Sequence, residues 1–268
     1  MDIVRFVEYI KEWELFEKID FDQIVSDFDF ETENFIKIDS IWDFDNIDKW
    51  EKTLFILDKL LIENISDFFD MDNICILDLN SGFFSYGSKI GVSKYDITEL
   101  MKAGFNIYEP IDLFSMLAQL DQSGKNYIRI SDLDMPVDFV KSQEKEIVSM
   151  ENVWFTGNMT IVSTGIMFTE LIRLRNLLDE QWIHVKISIL NKLNFDDLSL
   201  FKWDDNLNFV LDLLNYKWYE NFLKGKLKWK NLNFIYPSYD KLSTVLDEYK
   251  MEELEFDVVN LVNKLLNK

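Results

Sequence analysis

A proton shuttle near neutral pH is most often a histidine, and this chain has one, His184. It lies in the alternating run Ile183-His184-Val185-Lys186-Ile187. A period of two marks it as a strand-face residue rather than a catalytic one. Sulfur chemistry is equally sparse. The one cysteine, Cys75, sits inside the apolar run Ile74-Cys75-Ile76-Leu77 and reads as core, not as a nucleophile. No disulfide can form within the chain, and there is no Cys-rich zinc motif. Arg129 is either an ion-pair partner or an anion ligand. Asp43 and Asp45 fall in the acidic stretch 39–48, where carboxylates are normally solvated. The chain has eight glycines, and none forms the glycine-rich loop that cradles phosphate.

Composition narrows the partners. The 268 residues carry 28 basic and 49 acidic side chains, for a net charge of −21. Such a surface repels nucleic acid and anionic membranes, so neither is expected as a partner. The acids are spread along the chain, as in an acidic globular protein, rather than blocked in a tail. Hydrophobic residues make up 48% of the chain, enough for a substantial core. No apolar run is long enough to span a bilayer, and no signal peptide is expected from the first residues. A cytoplasmic location is the expectation. The 23 phenylalanines and eight tryptophans at helical or strand spacing read as core or interface.

The elements that must position these groups alternate along the chain. A helix is expected over 1–22, with short strands at 24–26 and 35–38. The leucines 54, 57, 60 and 61 share one helical face, which predicts a helix ending near residue 64. A strand over 73–79 follows, then a glycine-containing loop over 80–93. A helix over 95–103 stops at Gly104. A strand over 106–109 leads through Pro110 into a helix over 111–120. Gly124 precedes a strand over 127–130. Residues 131–150, with Pro136 and mixed charges, read as a linking segment. Beyond it, strands are expected over 159–164, 183–190, 207–214 and 231–235. Helices are expected over 166–180, 216–225, 238–249 and 254–267. Strands alternating with helices predict an α/β fold of two consecutive domains, each with a mainly parallel sheet. The boundaries are 1–135 and 151–268, with 136–150 between them.

Three stretches carry a family resemblance. Residues 106–112 and 126–130 are similar to the pyrimidine-binding domain of the transketolase family. There a strand ends in proline and an acid, and the next strand reads close to Tyr127-Ile128-Arg129-Ile130. Residues 159–170, an apolar strand running into Thr164-Gly165 and a helix, resemble the opening of the family's C-terminal domain. The tail over 236–266 is similar to the family's ending. The resemblance implies a degenerate pyrimidine-binding domain followed by a transketolase C-terminal domain, without the family's diphosphate-binding domain or its magnesium motif. It is shared by split transketolases, deoxyxylulose-phosphate synthase and the β subunits of 2-oxoacid dehydrogenases.

That resemblance implies a cofactor, thiamine diphosphate with magnesium, shared with a separate diphosphate-binding chain or across a homodimer. It implies transfer of a two-carbon ketol unit between sugar phosphates. The family's catalytic glutamate, which protonates the aminopyrimidine ring, aligns at or beside Trp42. Asp43, one step on and a methylene shorter, is the carboxylate left for that role; the alternative is a solvated loop acid. The family's histidines align in the loop holding Lys94 and Tyr95, which donate hydrogen bonds but do not titrate like imidazole. Arg129 matches a family arginine, while the phosphate-binding arginine three residues on is replaced by Asp132. Phe55 or Phe83 would stack on the pyrimidine. Trp182 stands where relatives often turn at a glycine. The implied function is a half-enzyme; the alternative is a structural or regulatory member that has lost cofactor chemistry.

Overall fold

The computed structural model describes residues 35–37, 53–57, 72–78, 97–111, 113–120, 122–130, 146–150, 159–202, 204–212, 216–237 and 256–266. The expectations for 1–22, 24–26, 80–93 and 238–249 lie outside them.

The first sheet has five strands: β1 (Phe35–Lys37), β2 (Thr53–Leu57), β3 (Ile74–Asp78), β4 (Asn106–Tyr108) and β5 (Lys125–Arg129). Their order is β1-β2-β3-β5-β4, and every pairing is parallel. Helices α1 (Ile97–Lys102) and α2 (Leu113–Leu120) flank it. Strand β3, Ile-Cys-Ile-Leu-Asp, is buried along its whole length. A strand covered on both faces reads as a continuous apolar run rather than an alternation. The same rule corrects, over residues 53–57, the helix expected to end near residue 64. Thr53-Leu54-Phe55-Ile56-Leu57 is a strand, paired with Phe35–Lys37 on one side and Ile74–Asp78 on the other. A short apolar run does not separate helix from strand by periodicity. Its β-branched and aromatic residues and its two neighbours decide for strand.

The second sheet is built from β6 (Ile147–Met150), β7 (Met159–Thr164), β8 (Val185–Leu190), β9 (Asn206–Val210) and β10 (Asn231–Ile235). Their order is β10-β9-β7-β8-β6. All pairings are parallel except β6 with β8. Three helices accompany it: α3 (Phe168–Glu180), entered through the 3-10 turn Gly165–Met167, α4 (Tyr216–Lys226) and α5 (Val258–Leu266). Asp257 caps α5, its carboxylate accepting from the amides of Val259 at 2.9 Å and Asn260 at 3.2 Å. Strand β6 falls inside the segment expected to be a linker. That segment's last residues are an edge strand of the second sheet.

One apolar cluster joins the two sheets. It runs from Ile76, Phe105, Ile107 and Tyr127 to Val162, Leu190, Leu193, Phe209 and Tyr219. A second cluster packs α3 and α5 against β7 and β8 and takes in Ile111 from the first half.

Helices α1 and α3 end with the same turn. Gly104 N–H donates to Met101 C=O and Phe105 N–H to Leu100 C=O. Trp182 N–H donates to Asp179 C=O and Ile183 N–H to Leu178 C=O. This double hydrogen bond requires a left-handed residue after the helix, usually glycine. Gly104 has φ of +88°, and Trp182 has φ of +62° with 84% exposure. A bulky side chain is strained there by about 1–2 kcal/mol. Trp182→Gly should therefore stabilise the protein by about 0.5–1 kcal/mol in urea unfolding, after glycine's extra unfolded-state entropy. A loss of stability would show that the indole makes contacts worth more than the strain it imposes.

Candidate functional site at the strand carboxyl ends

Open α/β sheets bind ligands outside the carboxyl ends of their strands. Here those ends meet each other. Beyond β8 the chain runs antiparallel to β4, with Tyr108 bridged to Lys192. Glu109 N–H donates to Asn191 C=O at 2.9 Å, and Leu193 N–H to Ile107 C=O at 2.7 Å. The Asn194 side chain clamps the same strand. It accepts from Ile107 N–H at 3.0 Å and donates to Phe105 C=O at 2.9 Å. Gly165, at the end of β7, lies so close that an added Cβ would stand 2.1 Å from the Glu109 carbonyl oxygen. The Thr164-Gly165 turn is thus glycine because another backbone occupies the space of a side chain.

Polar side chains collect around this junction. Asp78 ends β3 and Arg129 ends β5, and the two are partners in register. Tyr127 donates to Asp78 at 2.5 Å. Arg129 forms an ion pair with Glu109, and the two side chains are 1% and 0% exposed. Asp212 follows β9, is wholly buried, and has no hydrogen-bond partner among the described residues on either carboxylate oxygen. Glu109 Oε2, Arg129 Nε and Thr164 Oγ1 are likewise buried without a partner among the described residues. Tyr219, from α4, donates to Leu193 C=O at 2.7 Å. Burial raises its phenol pKa well above the usual value; Tyr236 adds to the rise and Arg129 opposes it. Burial also pushes Tyr108 up to about 12, with Glu146 adding to it.

This arrangement holds charge in a sealed place. An unpaired polar group there is expensive, so the ion pair and the backbone bonds act as ties between the sheets. Among the described residues, no group of three or more His, Cys, Asp and Glu side chains could hold a metal ion. No helix of the described residues is long and apolar enough to cross a membrane.

No family model and no curated protein matches the sequence. Solved structures do match the fold. A split gene transketolase, in an inactive beta4 tetramer, superposes with a TM-score of 0.61 at 12% identity, over 81% of this chain and 75% of that one. A Pichia stipitis transketolase in complex with sedoheptulose-7-phosphate gives 0.57 at 11% identity, over 80% of this chain and 33% of that one. A Campylobacter jejuni transketolase gives 0.54 at 11% identity, over 81% and 36%.

The chain has a transketolase-like fold. It spans about a third of the length of those two full-length transketolases.

Within this transketolase-like fold the sequence-derived candidates fall as follows. Asp43, Phe83, Lys94 and Tyr95 lie outside the described residues. Phe55 is central in β2, level with Ile36 and Ile76. Arg129 is enclosed with Glu109. His184 stands just before β8, not within a strand, and its Nδ1 is 3.1 Å from Asp179 Oδ1. It is therefore at the amino end of β8, away from the junction. Asp78, Glu109, Asn194 and Asp212 were not singled out from sequence. A signal existed: Leu77-Asp78 and Leu211-Asp212 each put an acid directly after an apolar strand run.

Glu146 organises the loop that reaches β4. Its carboxylate accepts from the amides of Asp196 at 2.7 Å and Asp197 at 3.1 Å, and from Lys192 Nζ at 3.0 Å. Burial pushes its pKa up, but these three donors outweigh it and hold the carboxyl below its ordinary 4.5. A depressed folded pKa gives stability that is full above the unfolded value and lost as pH falls through the folded one. Glu146→Gln should cost about 1–2 kcal/mol at pH 7 and flatten the stability loss below about pH 4.5, read by urea unfolding across pH.

The ion pair gives a second expectation. Arg129→Met leaves Glu109 buried alone and should cost about 3–5 kcal/mol, whereas Arg129→Met with Glu109→Leu should recover most of that loss. Equal destabilisation of single and double variants in thermal unfolding would show that the pair does not act as a unit.

Proposed function

We propose that this chain is one half of a split, transketolase-like assembly whose other chain carries the diphosphate-binding part. The observation that supports this most is the extent of the fold match. It covers most of the split transketolase chain, but only about a third of the full-length transketolases. By that likeness the assembly is a thiamine-diphosphate-dependent transferase of two-carbon ketol units. The cofactor, when bound, supplies a carbanion nucleophile that no side chain provides.

The described residues do not fit that cofactor. Its aminopyrimidine needs an accessible carboxylate, and the acids at the strand ends, Asp78, Glu109 and Asp212, are each 0% exposed. Asp43 remains the proposed carboxylate, with Phe55 or Phe83 as stacking partners and Lys94 or Tyr95 toward substrate; Arg129 would reach substrate only on leaving its buried ion pair with Glu109.

A specific observation favours a second reading, a structural or regulatory subunit without cofactor chemistry. The chain's one histidine is at the amino end of β8, bound to Asp179. Proton transfer near neutral pH has no imidazole at the strand carboxyl ends.

Calorimetric titration of thiamine diphosphate with magnesium separates the two readings, using the chain alone and mixed with a candidate diphosphate-binding chain. The half-enzyme reading expects binding heat only in the mixture. Co-elution of the two chains without cofactor heat would select the structural subunit. Neither heat nor association would overturn both.

A further inference from the structure

Residues 216–230, covering α4 and the turn after it, hold five lysines against one glutamate, in a chain of net charge −21. Some of these lysines are neutralised locally. Lys224 pairs with Glu220 at 2.7 Å, Lys226 with Asp196 at 2.9 Å and Lys230 with Asp205 at 3.5 Å. Lys217 and Lys228 are exposed, and no described acid pairs with either. Lys217 and Lys224 are two helical turns apart, so they share a face of α4, and Lys228 continues past its end.

An aromatic band runs beside the lysines. Trp218 stacks on Phe222 with centroids 5.7 Å apart, and Phe234 on Tyr236 at 6.1 Å. The ammonium groups of Lys224 and Lys226 lie 5.5 Å and 5.1 Å over the Phe234 and Phe222 rings. At the end of the ridge the indole of Trp229, between Lys228 and Lys230, is 70% exposed. A cationic ridge ending in an exposed tryptophan has the composition of a binding hot spot.

We infer that this ridge binds a short acidic segment of a partner polypeptide. Its carboxylates would meet Lys217 and Lys228, and an apolar side chain would cover Trp229. Charge complementarity selects this occupant. The ridge is locally positive, but the whole molecule repels long polyanions and anionic membranes. A segment carrying only a few acids lies within about one Debye length, ~8 Å, of the lysines and is attracted by them first.

The test is fluorescence anisotropy of a fluorescein-labelled peptide of repeated Glu-Glu-Phe with the full chain. Parallel arms use repeated Lys-Lys-Phe, an oligothymidylate and phosphatidylserine vesicles. The expected result is binding of the Glu-Glu-Phe peptide alone, weakened by added salt. Trp229→Ala should weaken it by about 10-fold, and Lys217→Glu with Lys228→Glu by about 10-fold or more. These side chains are on the surface, and circular dichroism confirms that the variants keep the fold. No binding, unchanged binding in the variants, or equal or tighter binding in any other arm would overturn the inference.

Discussion

The edge of strand β4 is the constraint on which the described architecture depends. In a parallel sheet the outermost strand leaves a row of backbone donors and acceptors unpaired. Here the chain following β8 fills part of that row, from Tyr108 with Lys192 to the Asn194 amide on Phe105 and Ile107. Backbone pairing of this kind fixes distance and register together. Once it is made, the carboxyl ends of both sheets face one another, and the polar residues that end the strands are enclosed.

Enclosure then dictates the chemistry of the junction. Three acids, Asp78, Glu109 and Asp212, share it with one guanidinium, Arg129, and all four side chains are essentially without solvent. Charges in such a place persist only where partners are fixed. Tyr127 serves Asp78 and Arg129 serves Glu109, while Asp212 has no partner among the described residues. Gly165 lies so close to the Glu109 and Pro110 carbonyls that a side chain there would collide with them. The junction thus behaves as a weld between the sheets rather than as a cleft.

Much of the fold was legible in the sequence because buried parallel strands and their helices leave strong patterns. Strands β3, β7 and β10 stand close to where their apolar runs placed them, and Gly104 ends α1 as its type predicts. Strand β2 was misread because Leu54 and Leu57 also satisfy a helical spacing, and only their neighbours in the sheet decide between the two. Strand β6 was hidden because a short edge strand among charges has little apolar signal. The junction was the least legible part. Which acid meets which arginine depends on pairings 20 residues apart in the chain, as for Arg129 and Glu109. Contacts between 105–107 and 194 span nearly 90 positions, which no local pattern encodes.

The cover over β4 also governs how the chain can be divided. A fragment stopping before β6 would retain β1 to β5 but lose the strip at 191–194 that closes the sheet's edge. Its outermost strand, β4, would offer Asn106, Ile107 and Tyr108 as an open template to any passing chain, with the apolar faces of Phe105 and Tyr127 uncovered beside it. Such an edge recruits other strands and drives aggregation. The two halves are therefore interdependent in solubility, and a gene fission between them would yield a first product that is kept soluble only by capture on the second.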